Sequence, residues 1–478
     1  MTLLQILKNH GLRCIWMCLL ILPFSSWHVS ADVMHGTYAY TVLGPDQQAL
    51  LRSITSDSSC PAGYWNNGNP IHFEVRSHPT LVPARPDQAQ SEQSTTDLRV
   101  LVCETTWPHH VTSAQVGGRW LQGPRLSYSK ILILGDSGCR LKASENAFQD
   151  CNDPRAWPFP VLTQVAAAMQ PDLVVHIGDL HYRESPCPAK QSGCAESTWG
   201  YGWPAWRSDF FEPAYPLLQV PWIWVRGNHE SCARAGQGWM RFLDPRPFHP
   251  HLSCDDPLHD AQADFTPPYQ IALNDLTRLW VFDSSKASGK SPSQGDPVVA
   301  THQRQLQTLQ AASTETFNVF LSHHPYTALV QTPKGQLRET GTTGLKSALH
   351  AAFGDNLLPP QFQLSLHGHL HFFEALLADP GRASTMILGN SGSMMEAMPA
   401  GAAPENQLLA HGTRLKQLVS HAEFGFAMLT HQTNHALSAW RLTEFNAQGQ
   451  ALFECQLSPS KASCLPMSPI QNTNPRQR

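Results

Sequence analysis

Leu173-Val174-Val175-His176-Ile177-Gly178-Asp179-Leu180-His181-Tyr182 is an almost unbroken apolar run that stops abruptly on a glycine and a carboxylate. A run of this length without polar gaps reads as a strand buried on both faces, as in a parallel sheet. Four more stretches repeat the arrangement: Gly135-Asp136-Ser137-Gly138, Gly227-Asn228-His229-Glu230, Ser322-His323-His324-Pro325 and Gly368-His369-Leu370-His371. The runs at 131–134 and 222–225 carry their polar residues at the carboxyl end, where open α/β sheets place ligands. Carboxylate, amide, phenol and imidazole groups suit hard to borderline metals such as iron, manganese and zinc. A site for two ions needs a bridging group, and Asp179 is the natural one because each of its oxygens can take one cation. Tyr182, three residues on, offers a phenolate. One aspartate after a strand is ordinarily a turn former; the five blocks together point to a two-metal centre.

The N-terminus indicates where this chemistry takes place. Lys8 and Arg13 precede a short apolar stretch at 14–24, and a polar segment closes on Val29-Ser30-Ala31, with small residues where a signal peptidase cuts. The expectation is a signal peptide over 1–31, cleaved after Ala31. The apolar stretch is shorter than the roughly 20 residues a spanning helix needs, so the mature chain is expected without a membrane span and exported, either periplasmic or secreted. Twelve cysteines are present, and ten remain once Cys14 and Cys18 leave, an even number suited to disulfides in an oxidising compartment. Nearness in sequence suggests Cys139 with Cys151, Cys187 with Cys194, Cys232 with Cys254 and Cys455 with Cys464, leaving Cys60 for Cys103. Three of these would clamp loops directly after the aspartate and asparagine blocks.

A hydrophobic content of 41% and 478 residues allow two folded domains, and a formal net charge of −4 gives no basic field for a nucleic-acid polymer. Residues 32–125 read as a small β-rich domain, with short strands at 71–75 and 98–102 and an exposed loop at 77–97. Residues 126–445 read as the α/β domain, with further strands at 279–282, 317–321 and 385–388 and a crossover helix near 301–312. Residues 446–478 read as an extension that frays after Cys464. The aromatic-dense segment 199–211 reads as packing against the sheet, and His176 and His367 as core histidines.

In this order and spacing, over about residues 130–390, the blocks resemble the calcineurin-like metallophosphoesterases, most closely the purple-acid-phosphatase type. The resemblance implies an αββα sandwich holding two metal ions, iron with zinc, manganese or iron. Carried over residue by residue, Asp136, Asp179, Tyr182 and His371 bind the first metal, and Asp179, Asn228, His323 and His369 the second. His229 is then a catalytic group, and His324, beside His323, can face the leaving group as an acid. Glu374 matches a GHxH-x-x-E extension with an outer supporting role, as could His181. Gly138 stands where many relatives carry a histidine, which agrees with Tyr182 as the substitute ligand. The reaction implied is hydrolysis of a small phosphate monoester by in-line attack of a metal-activated hydroxide. Diester or nucleotide hydrolysis on the same core, or a non-catalytic binding protein on this fold, are the alternatives.

Overall fold

The computed structural model describes residues 36–331, 334, 336–396, 408–409, 412–432 and 439–467. The expected signal segment and the chain past 467 lie outside the described residues. The three apolar runs become neighbouring parallel strands, Lys130–Leu134, Leu173–His176 and Pro221–Trp224, with Leu134 beside His176 and His176 beside Trp224. Successive side chains alternate between faces. Ile131, Ile133, Val175 and Ile223 point to one side, into a core shared with Val281, Val319, Leu321 and Leu366 of a second sheet. Leu132, Leu134, Val174, Trp222 and Trp224 point to the other, onto Phe159, Leu162 and Ala166 of the helix Phe159–Ala168 and onto Phe210 and Phe211. Both faces are dry, which is why the runs are apolar apart from His176, itself buried with Nε2 2.9 Å from Ser137 Oγ.

The second sheet is built on Thr277–Phe282, Phe317–Ser322, Phe362–His367 and Ser384–Leu388, all parallel. Its outer face holds the helices Pro297–Leu306 and Thr343–Phe353 through Phe282, Phe320, Leu306, Leu345 and Leu349. Two sheets face to face with helices outside is the αββα layering the sequence implied. The crossover helix starts at Pro297, earlier than expected, because the Asp296 carboxylate accepts from the amides of Val298 (2.9 Å) and Val299 (3.2 Å) and proline suits the first helical position.

The stretch before residue 126 is β-rich, and it shares the first sheet. Thr37–Leu43 runs parallel to Pro221–Trp224, and Ala49–Thr55, Leu101–Thr106 and Glu74–Ser77 follow outward. On the opposite edge, Gly425–Gln432 pairs with Lys130–Leu134 and leads to Ala439–Asn446, Ala451–Ser458 and Lys461–Pro466. Residues 446–467 are therefore sheet edge. Three local expectations need correcting. The strand placed at 71–75 starts at Glu74, and the one placed at 98–102 is broken at 99–100 and resumes at Leu101. The segment 77–97 is not simply an exposed loop: Thr80–Val82 pairs with Thr96–Leu98, and buried Arg85 donates to the Cys254 carbonyl (2.9 Å) and Asp260 (3.2 Å). Its polar composition hid partners that lie more than 150 residues away.

Five disulfides join Cys60–Cys103, Cys139–Cys151, Cys187–Cys194, Cys232–Cys254 and Cys455–Cys464, the pairing that sequence proximity suggested. Among the described residues, no helix is long and apolar enough to cross a membrane. Since Ile133 is buried between the two sheets, Ile133→Ala should lower unfolding free energy by about 2–5 kcal/mol. Denaturant titration read at two wavelengths measures this, and a loss under about 1 kcal/mol would mean the inter-sheet core closes over the gap.

Candidate metal centre

Because the central strands of both sheets are parallel, their carboxyl ends deliver the polar blocks to one edge. Backbone bonds stitch the two sets together there. Asp136 N–H donates to the Gly178 carbonyl (3.0 Å), Ser391 N–H to that of Gly135 (3.1 Å), and Ser393 N–H to that of Asp136 (2.8 Å). Asp136, Asp179 and His369 all adopt left-handed backbone conformations, with φ of 54°, 55° and 72°. Such angles cost on the order of 1–3 kcal/mol each and persist only where surrounding structure enforces them. They turn the side chains from the strand axis into the site.

At its centre is the Tyr182 hydroxyl. It lies 2.8 Å from Asp136 Oδ1, 3.1 Å from Asp179 Oδ2 and 2.9 Å from His371 Nε2. All four side chains are buried. His371 Nδ1 donates to the Met394 carbonyl (2.7 Å), and His323 Nδ1 to that of Ile177 (2.9 Å), so each turns Nε2 inward. His323 Nε2 is 3.0 Å from Asp179 Oδ2. The His369 ring centre is 5.3 Å from that of His323 and 4.3 Å from that of His324. Asp136, Asp179 and His323 form one group able to hold a cation, and His323, His324 and His369 an adjoining one. The structure thus brings all seven expected ligands to one end of the sandwich, Asn228 included.

The charges are arranged for cations. Burial raises the Tyr182 phenol well above its ordinary pKa, and Asp136 and Asp179 push it further. Burial lowers His323, but Asp179 and Asp136 outweigh it and raise the imidazole to about 9. Buried Asn228 Oδ1 has no hydrogen-bond partner among the described residues, and leaving a buried acceptor unpaired costs about 1–3 kcal/mol. Oxygen and nitrogen donors, two buried carboxylates and an orphaned amide oxygen fit two hard or borderline metal ions. A third possible group, Cys232, Cys254 and Asp264, does not, because its sulfurs are joined in a disulfide.

Residues 129–373, just over half the chain, match the calcineurin-like phosphoesterase family. The chain belongs to the calcineurin-like phosphoesterases. It is a hydrolase of phosphate esters, and the fold implies a dinuclear metal centre. Among solved structures it is similar to a purple acid phosphatase, PPD1 from yellow lupin (Lupinus luteus) seeds, at 15% identity and a TM-score of 0.50, covering 90% of this chain and 74% of that one. PhoD matches at 11% identity and a TM-score of 0.48, covering 91% and 92%. GAP50, the anchor in the inner membrane complex of Plasmodium, matches at 13% and 0.42, covering 70% and 90%. At these identities the likeness is one of fold. No curated protein sequence matches significantly.

Two carboxylates that sequence reasoning left without a role hold this phosphoesterase's loops. Glu230 accepts from the amides of Asp179 (3.0 Å), Leu180 (2.8 Å), His181 (3.1 Å) and Gly227 (3.1 Å). Asp209 accepts from the amides of Cys139 (2.7 Å) and Tyr182 (2.6 Å) and from Arg183 Nε (3.0 Å). Glu230 could have been suspected from its place in the asparagine block. Asp209 sits in the aromatic segment and carries no local signal. His229 Nδ1 faces the Glu184 carboxylate (2.8 Å) and the His181 carbonyl (3.1 Å), and Arg234 shares the same carboxylate. Burial and Arg234 hold His229 down to about 3 despite Glu184 and Asp179.

The supporting role expected of His181 is carried by its backbone, through the carbonyl given to His229 and the amide given to Glu230. Its ring packs near Tyr201 and Trp206, and neither nitrogen has a hydrogen-bond partner among the described residues. Glu374 lies on the outer face of its strand and accepts from the Leu329 amide (3.0 Å), in the segment that follows His323 and His324. It touches this loop and no ligand side chain.

Two outcomes follow from this geometry. A Cβ on Gly227 would meet Asp179 Oδ1 at 2.1 Å, so Gly227→Ala should weaken metal affinity by about 10–100-fold, as loss of a ligand's support does; elemental analysis after graded chelation reads it, and unchanged retention would show that Asp179 can move aside. Burial pushes Glu374 up to about 8 against its one amide bond. A carboxyl whose folded pKa is raised favours the fold at low pH and loses that contribution as pH climbs from its unfolded value, about 4.3, towards 8. Glu374→Gln should therefore show a smaller fall in melting temperature between pH 5 and 8 than the parent, in buffers of about those values.

Proposed function

We propose that this chain is an exported phosphomonoesterase of the purple-acid-phosphatase type, with iron and a second metal, iron, zinc or manganese, in a binuclear site. The observation that carries the reading is the Tyr182 hydroxyl held within 3.1 Å of Asp136, Asp179 and His371 at once. A buried phenol among two carboxylates and an imidazole is poorly placed as mere packing and well placed as a phenolate ligand. Asp136, Asp179, Tyr182 and His371 would hold one ion, and Asp179, Asn228, His323 and His369 the other. When bound, the pair supplies charge for the phosphate oxygens and acidifies a water.

The remaining steps belong to the protein. With cations bound, His323 and His371 would keep the protons on Nδ1, against backbone carbonyls, and turn a deprotonated Nε2 to the ions. His324 is set up differently. The Ser284 hydroxyl accepts from the His324 amide (3.0 Å) and lies 3.1 Å from Nδ1. With the hydroxyl hydrogen given to Nδ1, the ring's own proton sits on Nε2. His324 is thus a hydrogen-bond donor beside His369, suited to a phosphate or leaving-group oxygen, and burial beside His369 and His323 keeps it from taking a second proton. His229, its Nδ1 directed at Glu184, turns its other nitrogen towards Asp179, at 3.8 Å. Ten cysteines joined in five disulfides support an oxidising compartment, periplasmic or extracellular. A net charge of −4 gives no basic field for a nucleic-acid polymer, which supports a small phosphate ester.

The decisive measurement is metal content and visible absorption of the purified mature protein, with hydrolysis of aryl phosphate mono- and diesters. About two metals per chain are expected, with a charge-transfer band that disappears in Tyr182→Phe and faster turnover of the monoester. Activity without that band would retire the iron–phenolate reading. Comparable rates on both esters would move the assignment to diesters, and bound metal without turnover would leave a binding protein.

A further inference from the structure

Outside the candidate metal centre, a small antiparallel sheet made of Gly63–Trp65, Ser113–Val116 and Arg119–Gln122 presents an unusual outer face. Its inward residues Trp65, Ala114 and Leu121 are buried in the main core. Cross-strand pairing sets Tyr64 opposite Gln115 and Gln115 opposite Trp120, and Pro70 bridges to Tyr64 from the other side. Directly opposed residues share a face, so Pro70, Tyr64, Gln115 and Trp120 form one row. Tyr64 is 56% exposed and Trp120 58%. Single exposed aromatics are ordinary; two in one cross-strand row, about 10 Å apart across two strand spacings, with an amide between them, are not.

We infer that this row is a binding platform for a neutral glycan. Each ring offers a flat apolar face to the C–H side of a sugar ring, and Gln115 between them offers both a donor and an acceptor to hydroxyls. The row itself carries no ionic side chain. Arg119, beside Trp120, is turned away, with its guanidinium 3.8 Å from the centre of the Tyr215 ring, and Arg125, which donates to Gln122 at the end of the strand, is paired with Asp172. An uncharged row selects an uncharged ligand. Two half-exposed rings also fall far short of the roughly 1,200–2,000 Å² that a stable protein partner buries, whereas they match the span of a short run of hexoses. The adjacent turn adds Asn66, which is exposed and whose amide donates to Thr112 Oγ1 (2.8 Å).

The position of the row leaves the phosphoesterase site open. Gln122 N–H donates to the Gln219 carbonyl (2.7 Å), just ahead of the strand Pro221–Trp224, so the small sheet lies at the amino end of strands whose carboxyl ends carry the ligand residues. A glycan held there would tether the enzyme without covering its metals. The proposal does not depend on the metal reading, because binding is measured without turnover.

The test is affinity electrophoresis of the full mature protein in native gels containing hydroxyethyl cellulose, laminarin or dextran. The parent should be retarded by at least one of them, Trp120→Ala and Tyr64→Ala should each bind about tenfold more weakly, and Trp120→Phe, which keeps a flat ring, should retain most of the retardation. Hydrolysis of an aryl phosphate should be unchanged in all three variants, which confirms that they are folded. No retardation on any of the glycans, or equal retardation of parent and alanine variants, would overturn the proposal. So would binding to a proline-rich peptide resin or to anionic vesicles that is lost in Trp120→Ala while no glycan is bound.

Discussion

Everything at the functional end of this protein depends on holding two buried carboxylates, Asp136 and Asp179, within reach of a single phenol. Like charges in a dry interior repel strongly, and the usual resolution is protonation or a cation. Here the structure concentrates donors that point to the second outcome: imidazole Nε2 atoms are turned inward and an amide oxygen is left without a partner. The backbone meets the same demand with left-handed residues at the two aspartates and at His369. Glu230 and Asp209 then hold the loops in place through backbone amides, so the ligands sit on a rigid scaffold although they belong to turns.

The sandwich layering is what makes such convergence possible. One sheet supplies the carboxylates, the tyrosine and the asparagine, and the other supplies His323, His324, His369 and His371. Neither sheet holds the proposed ligand set by itself. Burying Ile133 and its neighbours between the sheets therefore does more than stabilise the chain; it sets the distance between two half-sites. The disulfides at 139–151, 187–194 and 232–254 close loops that leave the ligand-bearing strands of the first sheet, which limits how far those half-sites can drift.

The parts of the fold that were legible in sequence share a cause. Strands buried on both faces are apolar along almost their whole length, so 131–134, 173–177 and 222–225 could be found from composition alone, as could the crossover helix once Asp296 and Pro297 are read as its start. Where the reading failed, local composition was misleading. Segment 77–97 is polar, yet Arg85 within it is buried because its partners come from 254 and 260. His181, between Asp179 and Tyr182, makes its contacts through its backbone, which composition does not show. Glu374, three residues from His371, is turned by strand alternation towards the Leu329 amide, a partner that only the packing of the following loop supplies.

The sequence by itself determined which chemical groups are available and in what order, because the two aspartate blocks follow directly on the apolar runs that position them. Nearness along the chain also suggested the cysteine pairing that the structure has. Tertiary structure alone decided which groups meet. The contact of Tyr182 with His371 spans 189 residues, and that of His369 with Asp136 spans 233. Asp209's hold on two loops and the cross-strand row of Tyr64 with Trp120 are likewise invisible to any local pattern. Contacts of this range are set by how two sheets pack and by strand register, and both are properties of the whole core.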